Sequence, residues 1–362
     1  MKRVKLQKLR NEMKQQNIEA LLITSQYNLR YITEFTGSSG LALVTQEKAY
    51  FVTDFRYTEQ ASAQVKEFEV VQAKANLLEE VAEISKSLGL GSVSFEQDHV
   101  TFASYTQYAE KLEAELKPAS GLIEKIRMIK TPEEVEVLKA AAKIADDAFE
   151  YICTFIKPGM AEVEVSNELE FFMRKQGATS SSFDIIVASG SRSALPHGVA
   201  SDKKIEEGDM ITLDFGALYN GYISDITRTV AVGEPSEKMK EIYQIVLDSQ
   251  VLALQNIKPG MTGIEADAIA RDHIKSKGYG EAFGHSTGHG IGLEVHEAPG
   301  LSSKSKTVLE PGMAVTVEPG IYLPGIGGVR IEDDILITES GNERLTHSTK
   351  ELRILQVTEE IK

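Results

Sequence analysis

Asp214 and Asp225 lie in Ile211-Thr-Leu-Asp-Phe-Gly-Ala-Leu-Tyr-Asn-Gly-Tyr-Ile-Ser-Asp-Ile-Thr-Arg-Thr-Val230, a stretch otherwise rich in β-branched and aromatic residues. Asn220-Gly221 at its middle is a strong two-residue turn signal, so the spacing predicts a β-hairpin. With that turn the two carboxylates fall opposite one another or one diagonal step apart, and either register puts them on one face. Like charges so placed in an apolar hairpin repel unless a cation sits between them. A solvated sheet face is the bland alternative, although aspartate is disfavoured in strands. Glu318, closing Val315-Thr-Val, and Glu332, in Val329-Arg-Ile-Glu-Asp-Asp-Ile, repeat the arrangement. Four carboxylates converging on one cleft would leave a large uncompensated negative charge. Divalent metal, two ions, is the economical remedy.

Histidines supply the second kind of donor. In Gly284-His-Ser-Thr-Gly-His-Gly-Ile-Gly-Leu-Glu-Val-His-Glu297, three of the seven histidines fall within twelve residues, among four glycines. Glycine permits close backbone approach, and neutral imidazole beside carboxylates suits manganese, iron, cobalt or zinc better than calcium. His197, in Leu195-Pro-His-Gly198, carries little weight alone and reads equally well as a loop residue.

Positioning these groups requires two related hairpins, and the chain contains an internal repeat. Ile156-Lys-Pro-Gly-Met160 recurs as Ile257-Lys-Pro-Gly-Met261, an offset of 101 that also relates Asp147 to Asp248, Glu164 to Glu265 and Gly177 to Gly278. Each half reads as helix, Lys-Pro-Gly break, helix and glycine stop. Further on, Gly208–Gly216 parallels Gly312–Gly320, making Glu318 the counterpart of Asp214 and Glu332 roughly that of Asp225. Two copies are too few for a solenoid, so a pseudo-twofold α/β domain is expected, its related sheets facing one cleft.

Upstream, helical spacing at 3–17 precedes strand-like runs at Ala20–Ile23, Leu41–Val44 and Ala49–Val52, with helices expected over 76–88 and 101–116. This alternation describes a modest α/β domain. Periodicity breaks at Lys117-Pro-Ala-Ser-Gly121, which reads as a linker and divides the chain into domains 1–121 and 122–362. Thr131-Pro-Glu-Glu134 then opens a long helix with a capping box.

Composition removes several function classes. With 362 residues, 42% hydrophobic, 26% charged and a net charge of −15, the chain has an ordinary globular make-up. So acidic a surface is a poor partner for nucleic acid or anionic lipid. Neither a secretory signal nor an apolar run of membrane-spanning length is evident. The one cysteine, Cys153, fits a reducing compartment, and the chain reads as cytoplasmic.

The ordered set Asp214, Asp225, His289, Glu318 and Glu332 resembles the dinuclear site of the pita-bread metallopeptidases, in particular their Xaa-Pro branch, aminopeptidase P and prolidase. The stretches LDFGALYNGYISDITRT, HSTGHGIGLEVHE, VEPGIY and VRIEDD carry the likeness. YNLRYITEFTGSSG and TDFRYTEQA resemble the creatinase-type N-terminal domain, and RMIKTPEEVEVLKAA the start of the catalytic domain. Methionine aminopeptidases generally lack this N-terminal domain, and creatinase-like relatives lack the full metal set.

The resemblance implies a creatinase-type α/β domain followed by a pseudo-twofold pita-bread catalytic domain. It implies that Asp214 holds one ion, His289 and Glu318 the other, and that Asp225 and Glu332 are shared. The ions, manganese with cobalt or zinc as alternatives, would hold the hydroxide that attacks the carbonyl before proline. Glu318 would act as general base and His296 would contact the carbonyl or its oxyanion. His197 and His285 would orient substrate and deliver a proton to the departing nitrogen. Arg330 would orient ligand carboxylates and Tyr322 would line the pocket. Small proline-containing peptides and a second copy of the chain are the expected partners, without nucleic acid or membrane.

Many dipeptide-specific members carry an arginine just after the VHE motif, able to hold the free proline carboxylate. Here Val295-His-Glu297 runs into Ala298-Pro-Gly300, which tilts the expectation towards an aminopeptidase P-like enzyme and away from a strict Xaa-Pro dipeptidase. A peptide-binding scaffold without catalysis is the reading from another class. Its mark would be lost metal ligands, and all five residues are present.

Overall fold

The apolar runs near the N-terminus are strands. Ala20–Ile23, Leu41–Thr45 and Ala49–Thr53 pair antiparallel in succession, as runs of this length and composition favour. In the computed structural model, which describes residues 2–356, the chain divides into two compact units, Met1–Arg127 and Met128–Lys362. The first is built on a six-stranded mixed sheet in the order 69–72, 49–53, 41–45, 20–23, 92–96, 115–119. Leu22, Leu43, Val52 and Val93 pack on one side against Val81 and Ile84 of the helix Leu77–Ser87.

Two sequence expectations are corrected here. The helix expected over 101–116 ends at Lys111, and much of the expected linker is the edge strand Glu115–Ala119, parallel to Ser92–Glu96. Pro118 misled the reading: it lacks an N–H, and an edge strand is where a sheet tolerates that loss. The helix Leu122–Met128 follows.

Thr131 caps the helix Pro132–Phe155 in the second unit, with the Glu134 carboxylate accepting the Thr131 N–H at 2.8 Å. The repeat persists in three dimensions. Long helices Pro132–Phe155 and Glu237–Asn256 are each followed by a Lys-Pro-Gly break and a helix of 14 residues, Glu162–Lys175 and Gly263–Ser276. Gly159 and Gly260 take φ of 85° and 88°, and their N–H groups donate to Ile205 and Leu309 at 2.8 Å each.

Strand periodicity then separates core from site. Ile211, Leu213 and Phe215 join the helix-facing core with Phe149, Val165 and Leu169, so Thr212 and Asp214 face the other way. Val315 and Val317 likewise pack with Ala253, Ala266 and Ala270, turning Thr316 and Glu318 from that core. These strands belong to a four-stranded sheet (354–355, 226–232, 210–215, 186–189) and a five-stranded sheet (297–301, 288–290, 314–317, 333–337, 342–344).

Met210–Phe215 pairs antiparallel with Ile226–Val232, Asp214 opposite Thr227. The same register continues through Ala217–Tyr219 and Tyr222–Ile223 to the expected turn, where Asn220 and Gly221 have φ of 49° and 86°. Asp225 therefore falls opposite Gly216, one diagonal step from Asp214. In the second half Val317 pairs with Asp333 and Gly320 with Arg330, so one register sets Glu318 opposite Glu332.

Aligning the hairpins through Asp214 and Glu318 corrects one correspondence. Thr227, not Asp225, is the equivalent of Glu332, and Asp225 is the equivalent of Arg330. The second hairpin is one residue longer between its paired positions (214 to 227 against 318 to 332), a shift that matching the outgoing strands alone does not reveal. Among the described residues no helix is long and apolar enough to cross a membrane.

Candidate metal centre

A cleft of 560 Å³ opens between the two hairpins. Asp214, Asp225, His289, Glu318 and Glu332 all line it, together with His197, His285, His296 and Arg330. Phe183, Ile186, Pro196, Val199 and Val295 form its apolar part. Donor atoms of Asp225, His289 and Glu332 lie within 4.8 Å of one another. His289 Nε2 is 3.4 Å from Glu318 Oε1 and 3.8 Å from Asp225 Oδ2.

Local backbone explains the placement of His289. It sits in the strand Gly288–Gly290, where a Cβ on Gly288 would stand 2.0 Å from the Thr316 carbonyl and one on Gly290 2.4 Å from that of Ala298. Only glycine lets the strand thread between its neighbours. His289 Nδ1 meets the Gly290 carbonyl at 3.1 Å and must donate to it, so Nε2 carries the lone pair. That lone pair faces two carboxylates.

The carboxylates are costly as they stand. Burial, then the neighbouring Glu332 and Asp214, pushes the Asp225 carboxyl well above the usual range. Burial and Glu332 do the same to Glu318, while burial and Asp214 raise Glu332 to about 8. Burial lowers His289 to about 4, reinforced by His296, whose ring lies 4.3 Å away. Asp214 Oδ1 and Asp225 Oδ1 are buried without a hydrogen-bond partner. Unpartnered oxygens, an inward lone pair and crowded acids are together the donor set of a divalent cation site, so the residues fit metal.

A hydrogen-bonded chain links residues of the cleft wall through Tyr322 behind it. Arg330 ion-pairs with Asp214 and donates to Tyr322 Oη at 2.8 Å. Tyr322 in turn donates to His285 Nε2 at 2.8 Å, and His285 Nδ1 donates to the Ser286 carbonyl at 2.8 Å. Burial pushes the phenol up to about 12 and the imidazole down to about 4, so both are neutral near pH 7. Tyr322 is thus corrected: it is buried behind the wall rather than lining it. Both nitrogens of His285 are engaged, whereas no hydrogen bond holds the ring nitrogens of His197 or His296 among the described residues.

Residues 136–339 match metallopeptidase family M24, and residues 5–129 match the creatinase/prolidase N-terminal domain. The chain belongs to metallopeptidase family M24. A metallopeptidase family implies divalent metal, in keeping with the donor set above. This M24 chain is similar over 98% of its length, and all of the other's, to a structure described as an Xaa-Pro dipeptidase from Bacillus anthracis, at 61% identity and a TM-score of 0.97. The prolidase of Pyrococcus horikoshii matches at 44% identity and 0.91, covering 96% and 99% of the chains. An X-Pro aminopeptidase from Thermotoga maritima matches at 40% and 0.89, covering 95% and 99%.

Sequence reasoning missed the apolar wall and two polar residues behind the acids, Thr227 and Asp334. Thr227 Oγ1 donates to Glu332 Oε2 at 2.6 Å, and Asp334 Oδ2 accepts the Asp225 N–H at 2.9 Å. Only the register, which a sequence leaves open by one step, would have singled them out.

Proposed function

We propose that this M24 enzyme is an Xaa-Pro dipeptidase working with two divalent ions, manganese first, with cobalt or zinc as alternatives. The observation that carries the metal part is the inward lone pair of His289 facing Glu318 and Asp225, backed by two buried, unpartnered carboxylate oxygens. Asp214, His289 and Glu318 would hold the ions, with Asp225 and Glu332 shared. When bound, such ions activate water near neutral pH and stabilise developing negative charge. Glu318 takes up the proton released as water attacks. His296, with free ring nitrogens beside His289, donates to the scissile carbonyl oxygen, and His197 delivers a proton to the departing nitrogen. His285, with both nitrogens committed, keeps Tyr322 and Arg330 in place instead. The apolar wall of Phe183, Pro196 and Val199 suits a proline ring and an uncharged neighbour.

Peptide length revises the sequence expectation. The names carried by the relatives at 61% and 44% identity support a dipeptidase over the aminopeptidase P-like reading. Ala298-Pro-Gly300, the stretch after the VHE motif that lacks the arginine, is not among the cleft-lining residues, so its lack of a basic side chain removes one possible clamp and leaves the wall unaltered. The Thermotoga relative favours a second reading, acceptance of longer peptides. Cleavage of Xaa-Pro and Xaa-Pro-Yaa series by manganese-loaded protein separates the two. Rapid turnover of Xaa-Pro with little of Xaa-Pro-Yaa is expected, and the reverse order would replace the dipeptidase reading.

A further inference from the structure

The two halves read each other's backbone beneath the floor of the cleft. With Asp225 equivalent to Arg330, Thr227 to Glu332 and Thr229 to Asp334, the segments 225–229 and 330–334 pass one another across the pseudo-twofold. Main-chain pairing is confined to the middle, where the Thr227 carbonyl accepts the Glu332 N–H at 3.0 Å. Side chains complete the bonds on either side. Thr229 Oγ1 accepts the Arg330 N–H at 3.2 Å and donates to the Arg330 carbonyl at 2.9 Å. At the twofold-related place Asp334 Oδ2 accepts the Asp225 N–H at 2.9 Å.

Thr227 is fixed still more tightly. Arg330 Nε donates to its hydroxyl at 3.1 Å, so the hydroxyl proton is committed to Glu332 Oε2, 2.6 Å away. Asp225 has no comparable side-chain anchor: its Oδ1 is buried and unpartnered, so its aim depends on how its backbone is held. Thr227 is 0%, Asp334 1%, Glu332 2% and Asp225 4% exposed, so both hydrogen bonds lie away from bulk solvent.

We propose that Thr227 and Asp334 are positioning residues, each reaching from one half of the domain to aim the shared carboxylate of the other, Glu332 and Asp225 respectively. The inference rests on the reading of those two carboxylates as shared between ions. A carboxylate serving two ions must present both oxygens in fixed directions, so partners one step out from the ligands control affinity as well as rate.

The test is titration of metal-stripped protein with Co²⁺, followed by calorimetry and by the visible d–d bands that report ligand geometry. Wild type is expected to bind two ions. Thr227→Val, isosteric but without the hydroxyl, and Asp334→Ala should weaken the second ion by about ten- to a hundredfold and alter its bands. Thr227→Ser and Asp334→Asn keep a donor and an acceptor respectively, and should restore near wild-type binding. Asp334→Thr, which copies the residue at equivalent position 229, does the same if the N–H contact is what matters, and keeps the test open should Asp334→Ala not fold. Wild-type affinity and spectra in Thr227→Val and Asp334→Ala, or equal losses in the conservative variants, would overturn the positioning role. Wild type that takes up no second ion would instead overturn the dinuclear reading beneath it.

Discussion

Arg228 and Asp333, equivalent residues of the two halves, form an ion pair at 2.7 Å with 1% and 0% of their side chains exposed. The pair sits one residue beyond Thr227 and Glu332, so the strands that carry the site are joined by partners the repeat itself supplies. Asp333 also accepts from Lys350 at 2.7 Å, Gln250 at 2.9 Å and Thr346 at 3.0 Å. Arg228 reaches the carbonyls of Thr349 and Ser348 at 2.9 and 2.8 Å. Every polar atom of the pair is engaged, as burial of charge demands.

Removing one partner leaves the other charged and buried. Asp333→Ala is expected to cost about 3–5 kcal/mol in urea unfolding of metal-free protein, with Arg228 and Lys350 both stranded. Asp333→Asn, which keeps the shape, should still lose most of that. An effect under about 1 kcal/mol, the scale of an exposed pair, would mean that water reaches the cluster.

The crowded carboxylates make stability pH-dependent in metal-free protein. Glu332 keeps its proton to about 8 in the folded chain against 4.5 ordinarily, and Asp225 and Glu318 shift the same way. The folded state then binds more protons than the unfolded, so this contribution is full below 4.5 and is lost as pH rises through about 8. His285 and His289, lowered from 6.5 to about 4, act in the opposite sense, but only between those values. Above pH 6.5 the carboxylates act alone, and the melting temperature of stripped protein should fall towards pH 8 and recover on adding Mn²⁺ with release of protons. A melting temperature that climbs across that interval would contradict it.

Glu318→Gln removes a charge and the proton acceptor at nearly constant size. A fall in kcat of at least ~10² is expected, with substrate binding largely retained. Bound metal must be measured alongside, because a lost ion would mimic a lost base. Turnover near wild type with both ions present would assign the proton to another group.

Much of this was legible in the residues. The offset of 101 foretold the paired helices, and Asn220-Gly221 foretold the turn that brings Asp214 and Asp225 to one face. Pro118 obscured the edge strand, because a missing N–H reads as a break until the strand's outer position is known. Register was the deeper limit. Whether Thr227 or Asp225 answers to Glu332 turns on one residue of loop length, and periodicity identifies a strand's inward face without numbering its partners. The chain through Arg330, Tyr322 and His285 joins residues up to 45 positions apart, contacts no local pattern encodes.

The most direct measurement is the rate of Xaa-Pro hydrolysis followed against Mn²⁺ bound per chain, starting from chelated, metal-stripped protein. Hydrolysis absent at the start and greatest when two ions are bound is the expected result. Undiminished hydrolysis by exhaustively stripped protein would contradict the assignment of Asp214, Asp225, His289, Glu318 and Glu332 to a catalytic metal centre.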